Sequence, residues 1–276
     1  MHPPESFSTP EGLDHDVIRP HWPAPAGVQA LCSTRLGGVS APPWDRLNLG
    51  NHVGDDPVAV DRNRALWAER LEARPVFLQQ VHGTGVLALE ARTPDGAQAD
   101  ACFTTRPGLA CTMMVADCLP VLLCDARGGD HARVGAAHAG WRGLAGAASD
   151  TGQGVLEALA AHFDPAHTLA WLGPCIGPQA FEVGADVRAA FVRADPEAEA
   201  LFVPAAASAG RAPGAGAKWF ANLPGLARRR LAALGILRVH GNDGTPAWCT
   251  VANASLFFSH RRDRVSGRLA ASVWLA

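Results

Sequence analysis

Residues 109–143 read LACTMMVADCLPVLLCDARGGDHARVGAAHAGWRG. The apolar run Leu109 to Val115 meets the corner Asp117-Cys118-Leu119-Pro120. A second run, Val121 to Cys124, leads through a polar turn to a third, which ends in His138-Ala139-Gly140-Trp141-Arg142-Gly143. Short apolar runs bounded by glycine or proline have the length of buried strands. Reactive side chains stand where the runs stop: Cys118 lies between two of them, and His138 closes the third.

Upstream, the run Val76 to Val81 ends the same way, in His82-Gly83. Val28 to Ser33 is another expected strand, followed by the glycine loop Thr34-Arg35-Leu36-Gly37-Gly38-Val39-Ser40. Leu47-Asn48-Leu49-Gly50 opens a further loop. Asp55 or Asp56 then caps a helix that carries Pro57 in its first turn. Val60, Trp67 and Leu71 form its apolar stripe, and Asn63 falls on that stripe, where its amide needs partners and is expected to tether a neighbouring loop. A helix of small residues is expected after Gly143, with Val155, Leu156, Leu159 and Phe163 inward. Leu169 to Leu172 and Leu269 to Leu275 are further strands. Residues 204–217 alternate Ala, Gly, Ser and Pro and read as a surface loop. Strands that follow one another directly, mixed with helices, predict an α+β class with mixed sheets and helices outside, not a doubly wound parallel sheet.

The chain has 276 residues, 48% hydrophobic and 18% charged, with a formal net charge of -2. That is the profile of a folded domain without a basic face, so nucleic acid is excluded as the expected partner. No run of about 18 apolar residues exists, so no membrane span is expected. Residues 1–20 are expected to be a loose tail before one domain over residues 21–276, and no apolar leader stands there, which points to the cytoplasm. A monomer or weak homo-oligomer is the expectation. The seven cysteines are odd in number and lack CxxC spacing, so they read as free thiols. Cys32, Cys102, Cys111 and Cys124 read as small buried hydrophobes.

His82, Cys118 and His138 support two chemistries. A thiolate with two imidazoles is a good zinc set that leaves a position open. Alternatively Cys118 is a nucleophile with a histidine as base, and Asp117 either orients that histidine or binds substrate. Multicopper oxidation needs clustered histidines, and none of the eleven histidines here is paired as His-X-His, which argues against it.

The loops 34–40 and 47–50 resemble the YfiH family, also called the laccase-domain or peptidoglycan-editing-factor family. So do Gln80-Val81-His82-Gly83, Ala116-Asp117-Cys118-Leu119-Pro120, the block 138–143, Gly173-Pro174-Cys175-Ile176-Gly177 and Ser259-His260-Arg261-Arg262-Asp263. The resemblance implies a single layered α/β/β/α domain with zinc on His82, Cys118 and His138, which are also its catalytic residues. It further implies phosphorolysis of adenosine, inosine and S-methyl-5′-thioadenosine, and deamination of adenosine. On that reading the partners are a purine nucleoside and phosphate. Asp117 and Glu182 are candidates for proton transfer, Arg35, Arg142 and Arg261 for anion binding, and Asn48 for substrate contact. The alternative implied by the family's second name is a cysteine amidase acting on a peptidoglycan precursor, UDP-MurNAc-dipeptide. Two features depart from the family: His260 stands where a tyrosine is usual, and Gly128-Gly129-Asp130 lengthens the turn between Cys118 and His138.

Overall fold

The structure is a computed structural model that describes residues 9–147, 152–205 and 216–276. Two six-stranded sheets face each other. In the first, the order is Leu13–Asp14, Val17–Ile18, Val28–Ser33, Leu269–Leu275, Leu109–Val115 and Arg74–Phe77. In the second it is Arg238–Gly241, Thr168–Leu172, Leu119–Asp125, Val134–Ala139, Ala101–Thr104 and Val86–Ala88. Most pairs are antiparallel, but Arg74–Phe77 joins the first sheet in parallel, and both outer pairs of the second are parallel. A three-stranded sheet of Glu182–Gly184, Lys218–Ala221 and Phe202–Pro204 stands apart.

The apolar runs are continuous because both of their faces are covered. Side chains alternate along a strand. In Leu109–Val115, Cys111, Met113 and Val115 point into the core between the sheets. Ala110 and Met114 point outward, against Trp67 and Leu71 of the helix Pro57–Leu71. In Leu119–Asp125, Leu122 and Cys124 face the intersheet core, while Leu119, Val121 and Leu123 face the helices Val155–Ala160 and Leu223–Ala233. Helix, sheet, sheet, helix is therefore the layer order, and the protein is a single mixed domain as expected. The chain changes sheets between Val115 and Leu119, so Cys118 sits at the corner where it crosses.

The helix Pro57–Leu71 begins as its sequence predicts, with Asp56 accepting from the Val58 N–H at 3.0 Å. Trp67 is 1% exposed and donates through Nε1 to Ser272 Oγ at 3.1 Å, so its truncation to alanine would cost about 3–5 kcal/mol. Asn63 does tether a loop. It accepts from Val39 N–H at 2.9 Å and donates to Ser40 Oγ, Arg46 O and Asn48 O at 2.9, 3.1 and 2.9 Å.

Several expectations need correction. Residues 13–18 are not a loose tail: they add two short strands to the first sheet, and Val17 and Ile18 are buried there. The strand expected from Val76 to Val81 stops at Phe77, and further on the N–H groups of residues 81–83 turn onto the Asp100 carboxylate. The small-residue helix is two pieces, Trp141–Ala145 and Val155–Ala160, and residues 148–151 lie outside the described residues. So do residues 206–215 of the expected surface loop, whose flanks pair as antiparallel strands with Pro204 opposite Trp219. No helix among the described residues is long and apolar enough to cross a membrane.

Candidate metal centre

His82, Cys118 and His138 converge at one end of the sandwich. Their ligand atoms all lie within 4.8 Å of one another. Cys118 Sγ is 3.7 Å from His82 Nε2, and the two imidazole rings meet edge to face with centroids 4.7 Å apart. The register explains the meeting. Leu119 pairs with Ala139 and Pro120 with His138, so the corner cysteine and the end of the next strand are held side by side. Ala137 and Ala139 face the helices, which turns His138 toward the other sheet. Gly140 follows because the cluster leaves no room for a side chain: a Cβ there would lie 2.9 Å from both Cys118 Sγ and His82 Cδ2. The lengthened turn at Gly128 lies at the far end of the same hairpin, away from the cluster.

Asp100 organises the cluster, and sequence reasoning missed it. It is fully buried at the edge of the strand Ala101–Thr104. Its Oδ1 is 2.8 Å from His138 Nδ1 and accepts from His82 N–H at 2.9 Å. Its Oδ2 accepts from Val81 and Gly83 N–H at 3.1 and 2.7 Å. A carboxylate only accepts, so Nδ1 of His138 carries the proton in the neutral ring, and it is in that form that Nε2 offers a lone pair to an ion. The same bonds hold His82 at a φ of 61°, a conformation a histidine rarely adopts without such support. A lone acid before a strand carries no periodic signal, which is why it passed unnoticed.

Charges within the cluster are linked. Burial pushes the Cys118 thiol up, but the His138 charge and hydrogen bonds from His138 and His82 outweigh it and bring the thiol to about 6. Burial pulls the His138 imidazolium down, and the adjacent Cys118 thiolate and Asp100 together raise it to about 9. Burial instead pushes Cys32, Cys111, Cys124 and Cys175 up, in keeping with inert packing thiols.

A cavity of about 380 Å³ opens over the cluster. Met114, Val115, Ile176, Phe181 and Leu223 give it apolar lining, and Arg142, Arg261, Arg264 and Arg268 give it guanidinium groups, with His52 and His260 also in the lining. Arg142 and Arg261, the candidates for anion binding, both line the cavity. Arg142 lies over the Trp141 ring, and Arg261 lies over Phe181 while donating to Glu182 O at 3.1 Å.

Other expected contacts are not there. Arg35 is absent from the lining: it donates to Asp45 O and Ala254 O at 2.8 and 2.9 Å and covers the Phe258 ring. Asn48 is buried, bonded to Gly50, Asp55 and the Arg268 backbone. Asp117 does line the cavity, yet its carboxylate accepts from Thr250 Oγ1, Ser259 Oγ and Arg261 N–H at 2.7, 2.7 and 2.6 Å. It holds its own backbone at a φ of 94°, and so sets the corner that aims Cys118. Glu182 is exposed and outside the cavity lining. His52, Arg264 and Arg268 were not anticipated, since isolated basic residues in loops look like ordinary surface.

Fold and site together define a two-sheet, helix-flanked protein with one buried-edge His-Cys-His cluster under a basic cavity. The chain belongs to the YfiH family: the profile described as multi-copper polyphenol oxidoreductase laccase matches residues 29–276. It is similar to a purine nucleoside phosphorylase of Pseudomonas aeruginosa, 49% identical over 260 residues that cover 94% of this chain and 98% of the relative. It is also similar to the purine nucleoside phosphorylase YfiH of Escherichia coli, 46% identical over 263 residues, covering 94% and 98%. A crystal structure of a Neisseria meningitidis protein superposes with a TM-score of 0.82 at 42% identity, covering 94% of this chain and 99% of that one.

Proposed function

We propose that this chain is a zinc-dependent purine nucleoside phosphorylase acting on adenosine, inosine and S-methyl-5′-thioadenosine. The observation that carries the reading is the His82, Cys118, His138 cluster opening into a cavity lined by both apolar side chains and arginines. The donor set suits zinc. With zinc–sulfur and zinc–nitrogen bonds of ordinary length in a tetrahedron, sulfur and nitrogen stand about 3.6 Å apart. Cys118 Sγ and His82 Nε2 stand 3.7 Å apart before any ion is considered. Zinc, when bound, supplies a Lewis acid that polarises the atom it meets. The three ligands hold it, and Asp100 fixes the tautomer of one of them. The apolar lining at Phe181 and Ile176 accommodates a purine face. The arginines in the lining accommodate phosphate.

Naming of relatives as purine nucleoside phosphorylases supports phosphorolysis. Adenosine deamination has less support in the geometry. It needs a carboxylate free to carry a proton. The carboxylate that lines the cavity, Asp117, has its oxygens engaged by three donors. The multi-copper description has little to rest on, since the cluster brings three donors to one point.

One observation favours a second reading. A Cys118 thiolate beside a protonated His138 is also the resting state of a cysteine nucleophile, as an amidase would need.

The test is metal analysis of the purified protein, followed by assays on the three nucleosides with and without phosphate. The expected result is about one zinc per chain, phosphate-dependent release of free base, and loss of both in His82→Ala, Cys118→Ala and His138→Ala. Full activity in all three variants would overturn the reading. A covalent acyl adduct on Cys118 from a muropeptide substrate would favour the amidase instead.

A further inference from the structure

The motif Leu47-Asn48-Leu49-Gly50-Asn51-His52 is built around Arg268. Asn48 Oδ1 accepts from the Arg268 N–H at 2.9 Å, and Leu49 N–H donates to Arg268 O at 3.1 Å. Gly50 lies under the arginine's stem, where a Cβ would come within 2.6 Å of Arg268 Cγ. His52 then emerges beside it into the cavity. A loop that reads in sequence as a substrate contact is thus a clamp on one arginine, just before the central strand Leu269–Leu275.

Arg268 is held but not neutralised. Its Nη1 donates to Ser266 O and Gly267 O at 2.9 and 3.1 Å. Its Nε and Nη2 have no protein acceptor among the described residues, and it has no ion-pair partner there. Its negative neighbours are Cys118, whose charge a bound ion would offset, and Asp117, whose carboxylate is taken up by three donors. The charged neighbours of His52 include Arg268, Arg64 and His138. A planar guanidinium with two free N–H edges, fixed by its own backbone and facing a cavity, matches a tetrahedral oxyanion.

We propose that Arg268, with His52 beside it, is the subsite that seats inorganic phosphate against the metal cluster. This inference rests on the phosphorolysis reading. In that step an oxygen of hydrogen phosphate bonds to C1′ of the ribose while the C1′–N9 bond breaks. The bond's electron pair goes to the purine, and the proton given up by hydrogen phosphate ends there. Arg268 neither gives nor takes a proton. It fixes the nucleophile and balances its charge.

The experiment uses the metal-replete full chain and Arg268→Gln, with Arg268→Lys and Arg142→Gln for comparison. Inorganic phosphate binding is followed by calorimetry in the absence of nucleoside, and steady-state kinetics give KM for each substrate. In Arg268→Gln the phosphate Kd and KM are expected to rise by about 10–100-fold, with nucleoside KM and bound zinc little changed. Arg268→Lys falls between, because it keeps the charge and loses the fork. If the wild type binds phosphate through Arg268 but releases no base, the subsite stands and the phosphorolysis reading falls. If phosphate binding is the same in Arg268→Gln, or is lost in Arg142→Gln instead, the subsite assignment is overturned. Should Arg268→Gln prove unfolded by circular dichroism, Arg268→Lys decides by the same readouts.

Discussion

The Asp100 carboxylate lies 2.8 Å from His138 Nδ1 and at the same time accepts from the backbone of Val81, His82 and Gly83. One side chain thereby sets the tautomer of one proposed ligand and the backbone of another. Asp100→Asn keeps the shape, but its amide nitrogen can accept from neither the ring nor the N–H groups. Zinc affinity is expected to fall about 10–100-fold. Competition with a chromophoric chelator measures it, and an unchanged affinity would show that Asp100 serves folding alone.

How much of this was legible in sequence follows from where each residue stands. Cys118, His82 and His138 were visible because each ends an apolar run next to glycine or proline, which places a polar side chain at a sheet's rim. Mixed sheets with helices outside were legible from strands that follow one another directly, whereas the layer order came only through the family resemblance. Asp100 and Arg268 were invisible because their roles depend on partners brought from elsewhere in the chain. Arg35 and Asn48 misled for the same reason. Each stands in a conspicuous loop, yet the loop turns its side chain inward to bond backbone, and no local pattern distinguishes an inward arginine from an outward one.

Asn63 offers a test of how far the clamp reaches. Its amide joins Val39, Ser40, Arg46 and Asn48, and so ties the helix Pro57–Leu71 to the loop that grips Arg268. Asn63→Ala leaves buried backbone groups unpaired, and unfolding stability should drop by about 2–4 kcal/mol in urea. Phosphate KM should rise more than nucleoside KM, as the loop under Arg268 loosens. Equal effects on both substrates would separate the loop from the anion subsite.

Far from the cavity, Asp125 gives a pH prediction. Hydrogen bonds from Arg127 hold its carboxyl below the usual carboxylate range, with Nε at 3.0 Å and Nη2 at 2.6 Å. A folded pKa below the unfolded one means that the unfolded chain binds the proton more readily. The stabilisation is therefore complete above the unfolded value of about 3.9 and is lost as pH falls through the folded value. Asp125→Asn should be less stable than wild type by a constant margin near neutrality, and the gap should close in acid. Urea melts across the acid range check it, and a gap that widens as pH falls would contradict the assignment.

Gly140 gives the sharpest geometric test of the cluster. It has an extended φ of -67°, which alanine also adopts, so backbone strain plays no part. What alanine adds is one methyl group 2.9 Å from Cys118 Sγ and from His82 Cδ2. Cys118 is fixed by the corner that Asp117 holds, whereas the His82 ring is exposed and has room to swing. The methyl group should therefore displace His82 and leave the other two ligands in place. Gly140→Ala is expected to fold with near wild-type thermal stability when metal-free, to bind zinc more weakly, and to lose activity in proportion to bound zinc. Adding excess zinc should restore part of that activity. A variant that holds zinc normally yet stays inactive would show that the space at Gly140 is needed by substrate and not by the metal ligands.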